Sequence, residues 1–237
     1  YVHVPYCSKR CGYCDFNTYT PSELDRDDQI ESWLQSAIKE TIFARKILGE
    51  KLTVDTIFFG GGTPSLLEAN VISEFINNVS NHFALKKDLE ITLEANPDTI
   101  TQSKAEDWRK AGINRISLGM QSSAANVLQT LDRTHNPVNV LNSVEILKKA
   151  GFDNFSLDLI YGTPGESLED WSNTLKDALA INPPHISAYS LVIEPGTKMG
   201  SQLSRGEIKP VSDDDAADKY QLAEKMLTDN GYSWYEI

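Results

Sequence analysis

The chain repeats one pattern six times: a short apolar, β-rich run followed by a segment with helical periodicity. Strands that alternate with helices form parallel sheets with right-handed crossovers. No change of composition divides the 237 residues into two halves. The sequence therefore predicts an α/β fold, an open (β/α)6 partial barrel with a mainly parallel sheet and outer helices. The six predicted strands are Tyr1–Val4, Val54–Phe59, Leu89–Glu94, Arg115–Leu118, Asn154–Leu159 and His185–Leu191.

Helical segments fill the spaces between these strands. An apolar stripe runs from Ile30 to Ile42, and Gly112 and Gly151 follow helical runs as C-terminal caps do. Further helices are predicted at about 68–83, 101–111, 122–130, 138–150, 168–180 and 213–230, with an extra strand at Tyr232–Ile237. We expect 1–210 to form the core barrel and 211–237 to begin a C-terminal extension that continues beyond this sequence.

Charge and cysteine content narrow the function classes. The chain has 22 basic and 34 acidic residues, and a net charge of −12 repels phosphate backbones, so we expect no nucleic-acid partner. No apolar run reaches the roughly 18 residues of a membrane helix, which leaves only peripheral membrane contact open. Three cysteines and a start without a signal peptide indicate a cytoplasmic protein rather than a secreted disulfide scaffold.

All three cysteines fall on one loop after the first strand, as Cys7, Cys11 and Cys14 in a C-x3-C-x2-C spacing. Three thiolates can bind three corners of a cubane cluster and leave the fourth iron open to a small molecule. Thiolates also favour zinc, but a zinc site wants a fourth Cys or a His. The sequence favours an iron–sulfur cluster and leaves zinc and unligated thiols as alternatives. The histidines lack a partner at ligand spacing: His3, His82, His135 and His185.

A glycine-rich stretch, Gly60-Gly61-Gly62-Thr63-Pro64, follows the second strand. It lacks the lysine of a phosphate-binding loop and the glycine spacing of a dinucleotide site. Consecutive glycines indicate a backbone that approaches a ligand closely, or else a tight turn before the next helix.

Polar residues also mark the ends of three later strands, where barrels of this kind carry their chemistry. Glu94 ends the third strand, and Gln121 ends the fourth, with Arg133 in the following segment. Asp158 lies inside the apolar fifth strand, where it needs a ligand, Arg133 or local hydrogen bonds as a partner. Gln121 as a helix cap and Arg133 as a surface cation are the structural alternatives.

The stretch YVHVPYCSKRCGYCDFNTYT resembles the radical S-adenosylmethionine (SAM) superfamily. Within it, the chain is most similar to the branch of oxygen-independent coproporphyrinogen III dehydrogenases and HemW-like heme chaperones, over essentially its whole length. The resemblance implies a partial TIM barrel with a [4Fe–4S] cluster on Cys7, Cys11 and Cys14. It also implies that the open iron binds S-adenosyl-L-methionine, which is cleaved to methionine and a 5′-deoxyadenosyl radical.

The resemblance also implies which residues hold SAM. Tyr13 would cover the adenine, the glycine stretch would meet the methionine amino group, and Glu94 would bind a ribose hydroxyl. Gln121 and Arg133 would meet the ribose or carboxylate. No catalytic residue is assigned. The full cofactor-binding set is Tyr1, Tyr13, Gly61, Gly62, Thr63, Glu94, Gln121, Arg133 and Asp158.

Phe16 separates the two activities of this branch. The dehydrogenases have a cysteine at this position, so Phe16 favours a heme chaperone. The alternative is radical decarboxylation of coproporphyrinogen III to protoporphyrinogen IX, and whether the chain is an enzyme stays open. The implied partners are SAM, heme or a porphyrinogen, an electron donor and a heme-acceptor protein. The family's downstream HNxxYW motif would follow Ile237, so no heme ligand is assigned.

Overall fold

A computed structural model of the chain describes residues 1–24, 29–49 and 52–235. Six parallel strands form one open sheet in which spatial order equals chain order, from β1 to β6. This confirms the predicted α/β partial barrel. The strands are β1 (Val2–Val4), β2 (Thr53–Gly61), β3 (Ala84–Ala95), β4 (Arg115–Gln121), β5 (Phe155–Tyr161) and β6 (His185–Ser190).

Eight α-helices are described, and polar caps explain where several of them begin. Ser167 and Ser212 accept backbone N–H groups as N-caps, and Gly112 and Gly151 have positive φ after helical runs, as predicted. The helices are α1 (Gln29–Leu48), α2 (Ala69–His82), α3 (Gln102–Lys110), α4 (Ala125–Thr130), α5 (Pro137–Lys149), α6 (Leu168–Ile181), α7 (Lys198–Ser204) and α8 (Asp213–Asp229).

One contiguous apolar core lies between the sheet and the helices. Phe59 and Leu93 from the strands are fully buried, and Trp108 of α3 and Trp171 of α6 belong to the same core. Ala223 of α8 belongs to the same core. The boundary between 1–210 and 211–237 stays a prediction. Over the described residues, no helix has the length and hydropathy needed to cross a membrane.

Several element boundaries differ from the predictions. Strand β3 begins at Ala84 rather than Leu89. Helix α4 begins at Ala125 rather than at 122, because β4 extends to Gln121 through an irregular register and Gln121 has φ 61°. Helix α7 was not predicted. The strand predicted at 232–237 is wrong for 232–235, which are irregular, and 236–237 lie outside the described residues.

Candidate functional site

A cavity of about 220 Å³ lies at the carboxyl ends of the strands. It collects residues from the cysteine loop and from the ends of β2 to β5, which were predicted separately along the chain. Of the predicted site residues, eleven line it: Cys7, Cys11, Cys14, Tyr13, Gly61, Gly62, Thr63, Glu94, Gln121, Arg133 and Asp158.

The cysteine loop is anchored at both of its sides by backbone hydrogen bonds. The amide of Cys7 donates to the Tyr19 carbonyl at 3.0 Å, beside β1. Gly12, between the second and third cysteines, donates to the Leu131 carbonyl at 3.3 Å and accepts from the Met199 amide at 2.8 Å. Helices α4 and α7 therefore hold the half of the loop that carries Cys11 and Cys14, so the thiols are fixed relative to the cavity.

Two side chains donate hydrogen bonds to the thiols. Thr63 Oγ1 lies 3.6 Å from Cys7 Sγ, and Arg133 Nη1 lies 3.4 Å from Cys11 Sγ. Burial raises the pKa of the Cys7 and Cys14 thiols, and the neighbouring sulfurs raise both pKa values further. A metal group that binds thiolates here must therefore displace protons.

The donor set suits a group larger than one ion. Among the described residues, no three His, Cys, Asp or Glu side chains converge as a single metal ion requires. The three thiols instead border one cavity. Three cysteines around shared space match the ligation of a [4Fe–4S] cluster with one iron left open.

The glycine stretch is required by the packing of β2 against β1. Gly62 donates to the Val4 carbonyl at 2.8 Å, and a Cβ at this position would lie 2.6 Å from the Tyr6 carbonyl oxygen. Gly61 has φ 112° and is the last residue of β2, which continues through the first two glycines of the stretch. Thr63 then donates its amide to Tyr6 at 2.7 Å. These contacts seat the cysteine loop directly on the end of β2.

Two carboxylates face the cavity from β3 and β5. Glu94 Oε2 accepts the Gly61 amide at 3.0 Å, and burial, with a smaller contribution from Asp158, raises the Glu94 pKa to about 7. Asp158 accepts from Ser117 Oγ at 2.7 Å and Ser156 Oγ at 3.5 Å, and burial raises its pKa. Asp158 thus takes the local hydrogen-bonding alternative rather than the Arg133 pairing. Such a pair of acids favours a cationic or hydroxyl-bearing ligand.

The other two predicted polar residues, Arg133 and Gln121, line the same cavity. Arg133 Nη2 donates to Asn96 Oδ1 at 2.7 Å, so Arg133 is not a free surface cation. Gln121 is 6% exposed, and its Oε1 has no hydrogen-bond partner in the described part of the chain. It does not cap α4, whose N-cap is Ala124. An unpaired buried amide oxygen at a cavity wall is suited to a ligand that donates a hydrogen bond.

Tyr1 is the predicted site residue that does not line the cavity. It precedes β1, and the pairing of Val2 with Phe59 sets Tyr1 beside Phe58, where the two rings stack at 6.2 Å. Its hydroxyl lies 3.0 Å from His3 Nδ1, and 76% of the residue is exposed. Tyr1 adjoins the site at Gly61, against which the Tyr1 and His3 rings pack, and burial, with a smaller contribution from the Glu94 carboxylate, raises the pKa of the Tyr1 hydroxyl.

Four further lining residues with polar side chains were not predicted as site residues: Lys9, Asn96, Ser117 and Tyr189. Asn96 follows Glu94 at the end of the same strand, and Ser117 pairs in register with Glu94 on the next strand. Both positions therefore indicated that these residues could belong to the site. Tyr189 lies in β6, and burial raises its pKa. Nothing in its sequence context distinguishes it from a core aromatic residue.

A larger cavity, of about 720 Å³, lies elsewhere. It is bordered by β6, α8 and the irregular residues that follow α8. It contains none of the cysteines and none of the paired acids. The thiols and the paired acids therefore converge in the smaller cavity.

A family model described as the radical SAM superfamily matches residues 1–178. Among curated proteins, the chain is 42% identical over 237 residues to the heme chaperone HemW of Mycobacterium tuberculosis and 39% identical over 238 residues to HemW of Escherichia coli. It is also 34% identical over 237 residues to the mitochondrial radical S-adenosyl methionine domain-containing protein 1 of Danio rerio. All of this chain is covered, but only 60%, 60% and 52% of these relatives.

Solved structures agree on the fold. Coproporphyrinogen III oxidase (HemN) from Escherichia coli superposes with a TM-score of 0.85 at 24% identity, over 99% of this chain and 53% of that protein. The archaeal Elp3 of Methanocaldococcus infernus gives 0.63 at 19% identity, over 84% of this chain and 51% of Elp3. At these identities the likeness concerns the fold alone.

Proposed function

This chain belongs to the radical SAM superfamily, and on that premise we propose that it is the SAM-binding core of a heme chaperone similar to HemW. The observation that supports it most strongly is the single cavity that all three thiols and both acids border. The chain spans about three-fifths of the length of its HemW relatives, so heme transfer is proposed for the whole protein.

The residues present fit a [4Fe–4S] cluster and SAM. Cys7, Cys11 and Cys14 would hold the cluster, which supplies an electron for the reductive cleavage of SAM when it is bound. Thr63 and Arg133 donate hydrogen bonds to the cysteine sulfurs, which lowers the cost of concentrating thiolate charge there.

The cavity walls offer groups of matching chemistry to SAM. Two acids, Glu94 and Asp158, suit the ribose hydroxyls and the sulfonium charge, and the unpaired Gln121 Oε1 suits a ribose hydroxyl or the amino group. Arg133 suits the carboxylate because guanidinium pairs well with such groups. The backbone at Gly61, Gly62 and Thr63 would meet the amino group, and Tyr13 would cover the adenine. Tyr1 would act indirectly, by fixing His3 and Gly61.

The heme assignment rests on the relatives, two of which are named heme chaperone and align over the whole chain. Phe16 lines the cavity where the dehydrogenase branch has cysteine, so the chain lacks that thiol. We infer heme, a heme-acceptor protein and an electron donor as partners and the cytoplasm as location. We also infer that 1–210 is the core barrel and 211–237 opens a further region.

The test uses the full-length protein under anaerobic conditions. We expect the reconstituted protein to bind hemin and to form no protoporphyrinogen IX from coproporphyrinogen III in the presence of SAM and a reductant. Coproporphyrinogen III oxidase from Escherichia coli serves as the positive control for turnover. Formation of protoporphyrinogen IX by this protein would overturn the chaperone proposal, and so would failure to bind hemin.

A further inference from the structure

Arg133 uses all three of its nitrogen atoms within the protein. Nη1 donates to Cys11 Sγ at 3.4 Å, and Nη2 donates to Asn96 Oδ1 at 2.7 Å and to the Gly119 carbonyl at 3.3 Å. Nε donates to His135 Nδ1 at 3.4 Å. Within the part of the chain that the structure describes, four of the five guanidinium N–H donors therefore have partners, and the fifth, on Nη1, is left for a ligand.

His135 can make its contacts in only one protonation state. The ring is 4% exposed, and Nε2 lies 3.0 Å from the Met120 carbonyl oxygen. A carbonyl only accepts and the Arg133 Nε–H only donates, so Nε2 must carry the proton and Nδ1 the lone pair. Burial, with the nearby Arg133 charge, lowers the His135 pKa to about 4, which agrees with a neutral ring at physiological pH.

Other contacts fix the backbone that carries Arg133 and His135. Asp132 adopts φ 57°, and its carboxylate pairs with Lys198 at 2.6 Å and with Lys9 of the cysteine loop at 3.8 Å. The Arg133 amide donates to the Leu128 carbonyl at 2.9 Å. These bonds place the Cα of Arg133, but its long side chain keeps its rotational freedom unless something holds the guanidinium.

A path of hydrogen bonds leads from this guanidinium to a second thiol. Asn96, which accepts from Arg133, approaches Thr63 Oγ1 with its Nδ2 at 3.5 Å, and Thr63 Oγ1 donates to Cys7 Sγ. The orientation of one guanidinium thus affects donors at two of the three sulfurs.

We propose that His135 is a positioning residue that holds Arg133 at Nε and so aims one Nη1 donor at Cys11 Sγ and the other at the SAM carboxylate. This inference rests on the proposed function. Hydrogen bonds to cluster sulfurs raise the reduction potential, so His135 contributes to that potential without touching the cluster.

Replacement of His135 should spare the fold. The Met120 carbonyl also accepts the Ser122 amide at 2.8 Å, so it stays paired when the imidazole is removed. His135→Leu keeps the volume but offers Arg133 no acceptor. His135→Gln keeps one donor and one acceptor on a planar group and is the matched control.

The test is run on the full-length protein after anaerobic reconstitution. We expect His135→Leu to keep the wild-type iron content, to lower the midpoint potential of the cluster and to weaken SAM binding about tenfold, the scale of lost outer-shell partners. His135→Gln should recover both values in large part. Potentials come from an EPR-monitored redox titration and affinities from equilibrium binding.

A double-mutant cycle separates positioning from a general packing effect. In an Arg133→Gln background, His135→Leu should change neither potential nor SAM affinity further, because its effect passes through Arg133. Equal effects in both backgrounds, or no effect in the wild type, would overturn the inference. Absence of cluster or SAM binding in the wild-type protein would overturn the proposed function together with this inference. Normal binding by the wild type with no effect of His135→Leu would overturn this inference alone.

The protonation state of His135 can be measured in protein that holds no cluster. In the cluster-free protein, ¹⁵N NMR at neutral pH should show His135 as a neutral ring protonated on Nε2. A charged ring, or a proton on Nδ1, would contradict the geometry on which the inference depends.

Discussion

Glu94 is a carboxylate held where ionisation is unfavourable unless a ligand is bound. Its folded pKa of about 7 lies above the ordinary value, so between about pH 4.5 and 7 the folded chain binds more protons than the unfolded chain. Stability of the cluster-free protein therefore falls as pH rises through that window. The negative charge of Glu94 therefore lowers the stability of the cluster-free protein, and a cationic ligand would offset that cost.

Glu94→Gln should reveal this cost. An amide oxygen can still accept the Gly61 N–H, so the variant should be more stable than wild type by about 1–2 kcal/mol at pH 8 and show no gain near pH 4.5. Chemical unfolding of the cluster-free protein at both pH values measures the difference. Glu40→Gln, at an exposed position on α1, is the control. An equal effect of the two variants at pH 8 would contradict the assignment.

Gly62→Ala should disturb the packing of the cysteine loop against the end of β2. Its Cβ would meet two backbone oxygens, those of Tyr6 at 2.6 Å and Val4 at 2.9 Å, and backbone atoms cannot move aside as a flexible side chain can. We expect a loss of about 2–4 kcal/mol, against about 1 kcal/mol for Gly206→Ala, which has open space and only an unfavourable φ of 71°. Similar losses in thermal unfolding would refute close packing at Gly62.

Sequence reasoning identified the residue types of this site better than their contacts. Cysteines, glycines and acids at strand ends were informative because parallel strands bring those ends together. Side-chain direction was not predictable, so the bond from Arg133 to Cys11 Sγ was missed. His135 has no partner at ligand spacing in the sequence, and sequence cannot show that its ring meets Arg133. Tyr1 falls outside the cavity because strand pairing sets it beside Phe58.

At the scale of elements, α8 is joined to the loop between β5 and α6 by a buried lysine. Lys219 is fully buried and donates to the Glu166 carbonyl at 3.0 Å and to the Asp215 carboxylate, with Glu166 Oε2 at 3.8 Å. Trp171 of α6 donates its indole N–H to the Lys219 carbonyl at 2.9 Å. Burial raises the Glu166 pKa to about 7, while Lys219 acts in the opposite direction.

Lys219→Met should destabilise the chain by about 3 kcal/mol at pH 8, because Glu166 loses its buried cation. The loss should shrink at pH 5.5, where Glu166 takes up a proton. Lys225→Met is a matched control, since Lys225 pairs with Asp229 on the same helix, but on its exposed face. That pair should contribute little to stability, because solvent screens exposed charges. Equal losses for the two variants in urea unfolding at pH 8 would contradict this account.

Element prediction succeeded where periodicity was strong. The six strands follow from apolar runs, whereas α7 has only seven residues, including Gly200, and offers too short a pattern. The start of α4 was misplaced because the irregular end of β4 uses residues that would otherwise continue the helical pattern. The aromatic residues at 232–235 fit the pattern of a strand, but they form no backbone hydrogen-bond ladder with another strand among the described residues.

At the scale of the whole molecule, the open sheet brings separate strand ends to one cavity. Repetition of the strand–helix unit was sufficient to predict this architecture, because parallel order leaves few topologies. The superposition with coproporphyrinogen III oxidase at a TM-score of 0.85 agrees with it. The fold does not distinguish heme delivery from porphyrinogen chemistry, because one scaffold hosts many activities. The proposal of heme delivery rests instead on Phe16 and on the relatives that are named heme chaperone.

The most direct test of the account is iron content with EPR, before and after addition of SAM, on anaerobically reconstituted protein. We predict about four irons per wild-type chain and a reduced-cluster signal that changes when SAM is added, because the fourth iron is open. The variant with Cys7, Cys11 and Cys14 all replaced by Ala should bind no cluster. Stoichiometric iron in that variant, or a wild-type signal indifferent to SAM, would contradict the central claim.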